Sequence, residues 1–190
     1  MGLGPNTTAS ATGLFSGAFA NGVTNTGTQT TSASATGPFD FAYAGGPNTE
    51  AVANGTLGVA VAQGSNLLAE GGTSSSDVGN AAFNIANEPG GFGSNQVFAG
   101  EGNGNVAANL GGTSSATQIN LVEALGNGNI GTNLGGTGNQ VFAGFPGTPA
   151  TLSTAFNVGG TNNSVIATPG PFNVAGLVNQ TGKTVTNNIH

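Results

Sequence analysis

Seven carboxylates, one lysine and one histidine are the only charged or imidazole side chains in a chain of 190 residues. They are Asp40, Asp77, Glu50, Glu70, Glu88, Glu101, Glu123, Lys183 and His190. General acid–base catalysis needs titratable groups held in mutual reach. The single histidine is the last residue, so a Ser-His-Asp triad would hang on a frayed chain end. Glu70, Glu88, Glu101 and Glu123 are scattered through turns and strand ends, which reads as solvated charge and not as a carboxylate pair. Thr181-Gly182-Lys183-Thr184 resembles the end of a phosphate-binding loop, but Leu177 occupies the position of its first glycine. A calcium-binding roll needs an aspartate in every repeat, and none follows Asp77. Cysteine is absent, which removes disulfides and zinc–thiolate sites. The expectation is a protein with no catalysis, no cofactor and no metal.

Charge narrows the partners. The net charge is −6 with one lysine and no arginine. Binding nucleic acid or an anionic membrane needs basic side chains, so both are disfavoured. No apolar run is long enough for a transmembrane helix. The start MGLGPNTT has neither the basic nor the apolar region of a signal peptide. Charged residues make up 4% of the chain, against about 25% in ordinary globular domains. Dense Gly, Asn, Thr, Ser and Ala with so little charge points to a secreted or cell-surface protein whose export signal is not in this sequence. Matches to N-x-[ST], such as Asn54-Gly55-Thr56, are expected by chance in so Asn- and Thr-rich a chain.

The elements that would carry any site are strands. Gly or Pro interrupts nearly every window in which a helix could form, at about 1 kcal/mol per helical glycine. Short alternating runs closed by Gly, Asn or Pro recur instead, among them Phe39 to Ala44, Val59 to Ala62, Asn95 to Ala99 and Asn139 to Ala143. Gly102-Asn103-Gly104-Asn105-Val106 through Asn109-Leu110-Gly111-Gly112-Thr113 returns at Gly126 through Thr137, 24 residues later. Asn95-Gln96-Val97-Phe98-Ala99-Gly100 returns at Asn139, and Ala82-Phe83-Asn84-Ile85 returns as Ala155-Phe156-Asn157-Val158. Apolar centres fall about 11 residues apart, one strand plus one turn, which makes repeats of about 22 residues. The fold expected is all-β, a parallel β-solenoid or stacked cross-β repeat, with an antiparallel sandwich or barrel as the alternative. A Thr/Ser-rich segment, 1–37, would precede a repeat-built β domain, 38–190.

Two sets of residues qualify as sites without chemistry. Thr24, Thr26, Thr28, Thr30, Ser32, Ser34 and Thr36 share one parity, so on a strand they would form a hydroxyl stripe able to face glycan or ice. Asn95, Gln96, Asn105, Gln118, Asn120, Asn129, Asn139 and Gln140 recur at matching repeat positions, where stacked strands permit side-chain ladders. Neither face of several runs is clearly polar; Phe39, Phe41 and Tyr43 share one parity, and Ala42 and Ala44 share the other. Burial of both faces calls for self-association, and the chain lacks the Lys and Pro that usually block edge pairing.

The AFN[IV], GNGN[VI] and NQVFAG units, with the ending Gly170 to Val185, resemble Gly/Ala/Asn-rich exported proteins of mycobacteria. That resemblance implies export. Gln96-Val97 before Gly102-Asn103-Gly104-Asn105, and Gln118-Ile119 before Gly126-Asn127-Gly128-Asn129, are similar in layout to curli-type fibre subunits. The second Gln of that pattern is missing here. This second resemblance implies fibre formation. The function expected is a structural, self-associating surface or fibre subunit whose main partner is itself. The alternative is a soluble β-solenoid that binds cell-envelope or host glycans, ice or a host surface.

Overall fold

A computed structural model describes residues 1–87, 95–114, 118–147, 150–168 and 170–187. Glu88 and His190 lie outside the described residues. The chain winds through two parallel sheets, alternating between them. One sheet holds nine strands: β1 (Gly2–Leu3), β3 (Gly17–Asn21), β5 (Phe41–Gly45), β7 (Val59–Ser65), β9 (Ala81–Asn87), β11 (Val106–Leu110), β13 (Ile130–Leu134), β16 (Thr154–Val158) and β18 (Val174–Val178). The other holds β2 (Thr7–Ala11), β4 (Thr31–Thr36), β6 (Thr49–Asn54), β8 (Leu67–Gly71), β10 (Asn95–Gly100), β12 (Leu121–Asn127), β14 (Gln140–Ala143), β17 (Ser164–Ala167) and β19 (Thr184–Asn187). A two-residue strand, β15 (Ala150–Thr151), also pairs with β12, making this sheet ten-stranded. The molecule is a β-solenoid, and every strand pairing among the described residues is parallel, which rules out the antiparallel sandwich or barrel.

The turns do not keep one length. Val106 pairs with Ile130 and Ile130 with Thr154, each 24 residues on. Gly17 pairs with Phe41 and Phe41 with Val59, steps of 24 and 18, while Leu67 reaches Asn95 in 28. The variation is taken up at the corners, so the strands stay in register. Residues 1–37 supply β1 to β4 to the same two sheets, so the boundary expected at 37 falls inside the stack.

The interior is built from small side chains. Ala42 and Ala44 of β5, Ala60 and Ala62 of β7, and Ala51 and Ala53 of β6 are fully buried. Val97, Val122, Val141 and Val165 fill the facing side in later turns. Most of the buried core is Ala and Val, and Leu67 is the largest fully buried side chain. Large apolar residues of the nine-stranded sheet point outward: Phe19, Phe41, Ile85, Leu110, Ile130 and Val174 are all exposed. Alternation of faces along each strand does the rest.

Candidate association surfaces

Asparagine columns fix the rungs. In the corner before the ten-stranded sheet, the Asn120 N–H donates to Asn95 Oδ1 at 2.9 Å, Asn139 N–H to Asn120 Oδ1 at 2.9 Å, and Asn163 N–H to Asn139 Oδ1 at 3.1 Å. The column ends on the Lys183 N–H, 3.1 Å from Asn163 Oδ1. In the opposite corner, Asn105 N–H donates to Asn80 Oδ1, Asn129 N–H to Asn105 Oδ1 and Ser153 N–H to Asn129 Oδ1, at 2.9, 3.0 and 2.8 Å. Asn129 Nδ2 in turn donates to the Leu125 and Ala150 carbonyls at 2.8 and 2.9 Å, and Asn105 Nδ2 to those of Gly100 and Gly126 at 3.0 and 2.6 Å. These are buried donors and acceptors that the backbone of a thin solenoid cannot satisfy alone.

A third column runs through the nine-stranded sheet itself. Asn109 Nδ2 donates to Asn84 Oδ1, Asn133 Nδ2 to Asn109 Oδ1 and Asn157 Nδ2 to Asn133 Oδ1, at 3.0, 2.8 and 2.9 Å. All four are fully buried. None of these four asparagines is among the ladder residues expected from the sequence. The column's signal is the recurrence of Asn in AFNI, AANL, GTNL and AFNV at one strand position. Of the expected ladder residues, Asn95, Asn120 and Asn139 share one column, and Asn105 and Asn129 share another. Gln96 and Gln140 point outward from the ten-stranded sheet with Leu121 stacked between them, so they form no glutamine ladder. Gln118 is half-buried in the corner before β12.

The Asp40 side chain lies on the line of the corner column of Asn80, Asn105 and Asn129, separated from it by Gly58. Its Oδ1 accepts the Gly58 N–H at 2.7 Å, while the buried Oδ2 has no partner. Burial pushes the Asp40 carboxyl above its ordinary range, partly opposed by the Gly58 bond. Asp77 is satisfied instead: Oδ2 accepts from the Thr73 and Ser74 N–H groups and the Thr73 hydroxyl, and Oδ1 from the Gly102 N–H.

The two outward faces differ in kind. The ten-stranded sheet displays Glu50, Glu70 and Glu123. Glu70 and Glu123 stand on either side of Phe98 in successive rungs. Burial raises the pKa of both, with Glu50 and Asp77 adding to it at Glu70 and Glu101 at Glu123. A depression of about 350 Å³ gathers Glu70, Glu101, Glu123, Phe98 and Pro146, but among the described residues no three metal-ligating side chains are placed to hold one ion. The nine-stranded sheet carries no charged side chain on its outward positions among the described residues. Its central column reads Phe19, Tyr43, Val61, Phe83, Ala108, Thr132, Phe156 and Gly176.

One corner extends this apolar face. Phe15, Phe39, Leu57, Leu152 and Phe172 each occupy the left-handed region, with φ of 57°, 63°, 59°, 53° and 62°. Intervening rungs place Gly79, Gly104 and Gly128 there, at 68°, 68° and 66°. Left-handed backbone costs a bulky residue about 1–2 kcal/mol, yet all five bulky side chains are at least half exposed. Phe15 and Phe39 stack at 5.4 Å. Packing inside the chain does not account for large apolar groups at strained, exposed positions.

The expected hydroxyl stripe is broken. Thr24, Thr26, Thr28 and Thr30 lie in the connection between β3 and β4, and only Ser32, Ser34 and Thr36 sit on a strand. The turn at Gly22–Asn25, held by the Asn25 N–H bond to the Gly22 carbonyl at 2.8 Å, interrupts the alternation. A different threonine row runs across the rungs: Thr113, Thr137, Thr161 and Thr181 are bridged in succession, with the Thr113 and Thr137 hydroxyls 2.8 Å apart. The recurrence of Gly-Gly-Thr at Gly111, Gly135 and Gly159 was its sequence signal. No family model, no curated protein and no solved structure matches the chain.

Proposed function

We propose that the protein is a structural, self-associating module of a secreted fibre or cell surface, with no catalysis. One observation carries this: the outward face of the nine-stranded sheet is predominantly apolar over the stack and free of charge among the described residues. Apolar patches beyond a few hundred Å² mark interaction surfaces on soluble proteins. The composition supports a surface or extracellular setting, and the scattered carboxylates offer no acid–base pair. Light scattering on the purified chain over a wide concentration range, with electron micrographs of the same samples, tests the proposal. Mass rising with concentration, as discrete oligomers or filaments, is the expected result. A monomer at every concentration overturns it.

A second reading, a solenoid that binds glycan or ice, is favoured only by the Thr113–Thr181 row. Binding to a glycan array that is lost on Thr137→Lys, with the circular dichroism unchanged, would favour it.

A further inference from the structure

We infer that a second copy of this chain covers the nine-stranded sheet face to face, in an isologous pair with the two stacks running in opposite directions. This rests on the self-association proposed above and specifies its geometry.

Area comes first. The eight strands from β3 to β18 in this sheet, about 4.8 Å apart and about five residues wide at 3.3 Å each, present about 600 Å². Two copies then bury about 1,200 Å², the lower bound of a specific interface, before the corner column of Phe15, Phe39 and Phe172 is added.

Charge selects the partner face. The chain carries a net −6, and the outward carboxylates Glu50, Glu70 and Glu123 all stand on the other sheet. Pairing through the ten-stranded sheets would bring them together. Pairing through the nine-stranded sheets sends them to opposite sides of the dimer, where water and distance screen them.

Side-chain size sets the direction. A two-fold axis parallel to the strands opposes each column to itself in reversed order. Phe19 then meets Gly176, Phe83 meets Ala108 and Phe41 meets Thr154, large against small, while Tyr43 meets Phe156 and Ile85 meets Leu110; stacks running the same way would set every one of these side chains of the central column against its own copy. Alternating bulk of this kind lets two sheets interdigitate at about 10 Å. A copy of the same chain satisfies both halves of the match at once, as an isologous contact requires.

The absence of cysteine makes the test direct. Phe41→Cys and Thr154→Cys are made separately, mixed, treated with a bis-maleimide cross-linker able to span about 10 Å and resolved by denaturing electrophoresis, with light scattering on the untreated samples. Ser34→Cys, on the outward face of the ten-stranded sheet, is the control. The expected result is dimeric mass and a cross-linked dimer several-fold more abundant in the mixture than with either variant alone, with none from Ser34→Cys. Dimeric mass with preferential cross-linking of Ser34→Cys, or of Phe41→Cys alone, overturns the face-to-face antiparallel pair and leaves self-association standing. Monomeric mass in all samples overturns both.

Discussion

Asp40→Asn should stabilise the protein, although it removes a native charge. Asp40 lies on the line of a corner column, separated by Gly58 from its amide members Asn80, Asn105 and Asn129. In Asn80 and Asn105 the oxygen accepts the next rung's N–H at 2.9 and 3.0 Å. Their Nδ2 groups donate to the Gly102 and Gly126 carbonyls at 2.7 and 2.6 Å. The equivalent carbonyl at the Asp40 rung belongs to Gly55. A Cβ built on Gly37 would sit 1.9 Å from that oxygen and 2.6 Å from Asp40 Oδ2, so the carboxylate oxygen points at the same spot. An amide keeps the Gly58 bond and supplies the missing donor. Relieving a buried polar atom without a partner is worth about 1–3 kcal/mol, so about 2 kcal/mol is expected, or about 4–8 °C in Tm for a chain of this size. The sign with pH follows from the raised carboxyl. Wild-type Asp40 contributes its full stability below its ordinary value of 3.8 and loses it as pH rises through the raised folded value. The gap between variant and wild type should therefore be wide at pH 7 and narrow at pH 3.5. Thermal unfolding followed by circular dichroism at both pH values measures it. A variant no more stable than wild type at pH 7, or an equal gap at both pH values, would refute the reasoning.

Three further outcomes are expected. Asp77→Asn should destabilise, because its carboxylate accepts four hydrogen bonds and an amide would turn an N–H toward some of those donors; a loss of about 2 kcal/mol in urea unfolding is expected, and none would contradict the site geometry. Asn133→Ala should cost about 2–4 kcal/mol, since it strips partners from Asn109, Asn157 and the Gly135 carbonyl. The outward Gln140→Ala should stay within about 0.5 kcal/mol, and similar values for the two would remove the buried ladder from the account. Glu70→Gln and Glu123→Gln together should raise Tm at pH 7 but not below their ordinary value of 4.5, because both carboxyls are raised by burial and like charge; an equal gain at both pH values would count against that cause.

The strands, the parallel stacking and the corner glycines were legible in the sequence, because Gly and Asn recur at fixed offsets from alternating runs. Which parity faces inward was not. Convention would bury Phe83 and Ile85 and expose Ala82 and Asn84, yet Ala82 and Asn84 are fully buried and Ile85 is exposed. Ala and Asn take the inward positions of this sheet, so the large residues of the other parity face outward, and alternation alone does not say which parity turns inward. The same inversion hid the Asn84–Asn157 ladder, whose members look like the solvated residues of apolar strands. The threonine stripe failed for a local reason: parity holds only while the backbone stays extended, and successive turns at Gly22–Asn25 and Thr26–Gln29 break it. Column contacts across turns, such as Thr113 with Thr137, depend on register and become visible only once corner lengths are known.

The uncharged face of the nine-stranded sheet is proposed to join copies of the chain. Sedimentation velocity of wild type, Thr132→Glu and Ser34→Glu over the same concentration series tests this most directly. Thr132 lies in the central column of the proposed contact, opposite Val61, and Ser34 on the opposite face. The predicted result is a concentration-dependent dimer for wild type and Ser34→Glu, and a folded monomer for Thr132→Glu. A monomeric wild type, or a Thr132→Glu variant that dimerises as well as wild type, would contradict the account.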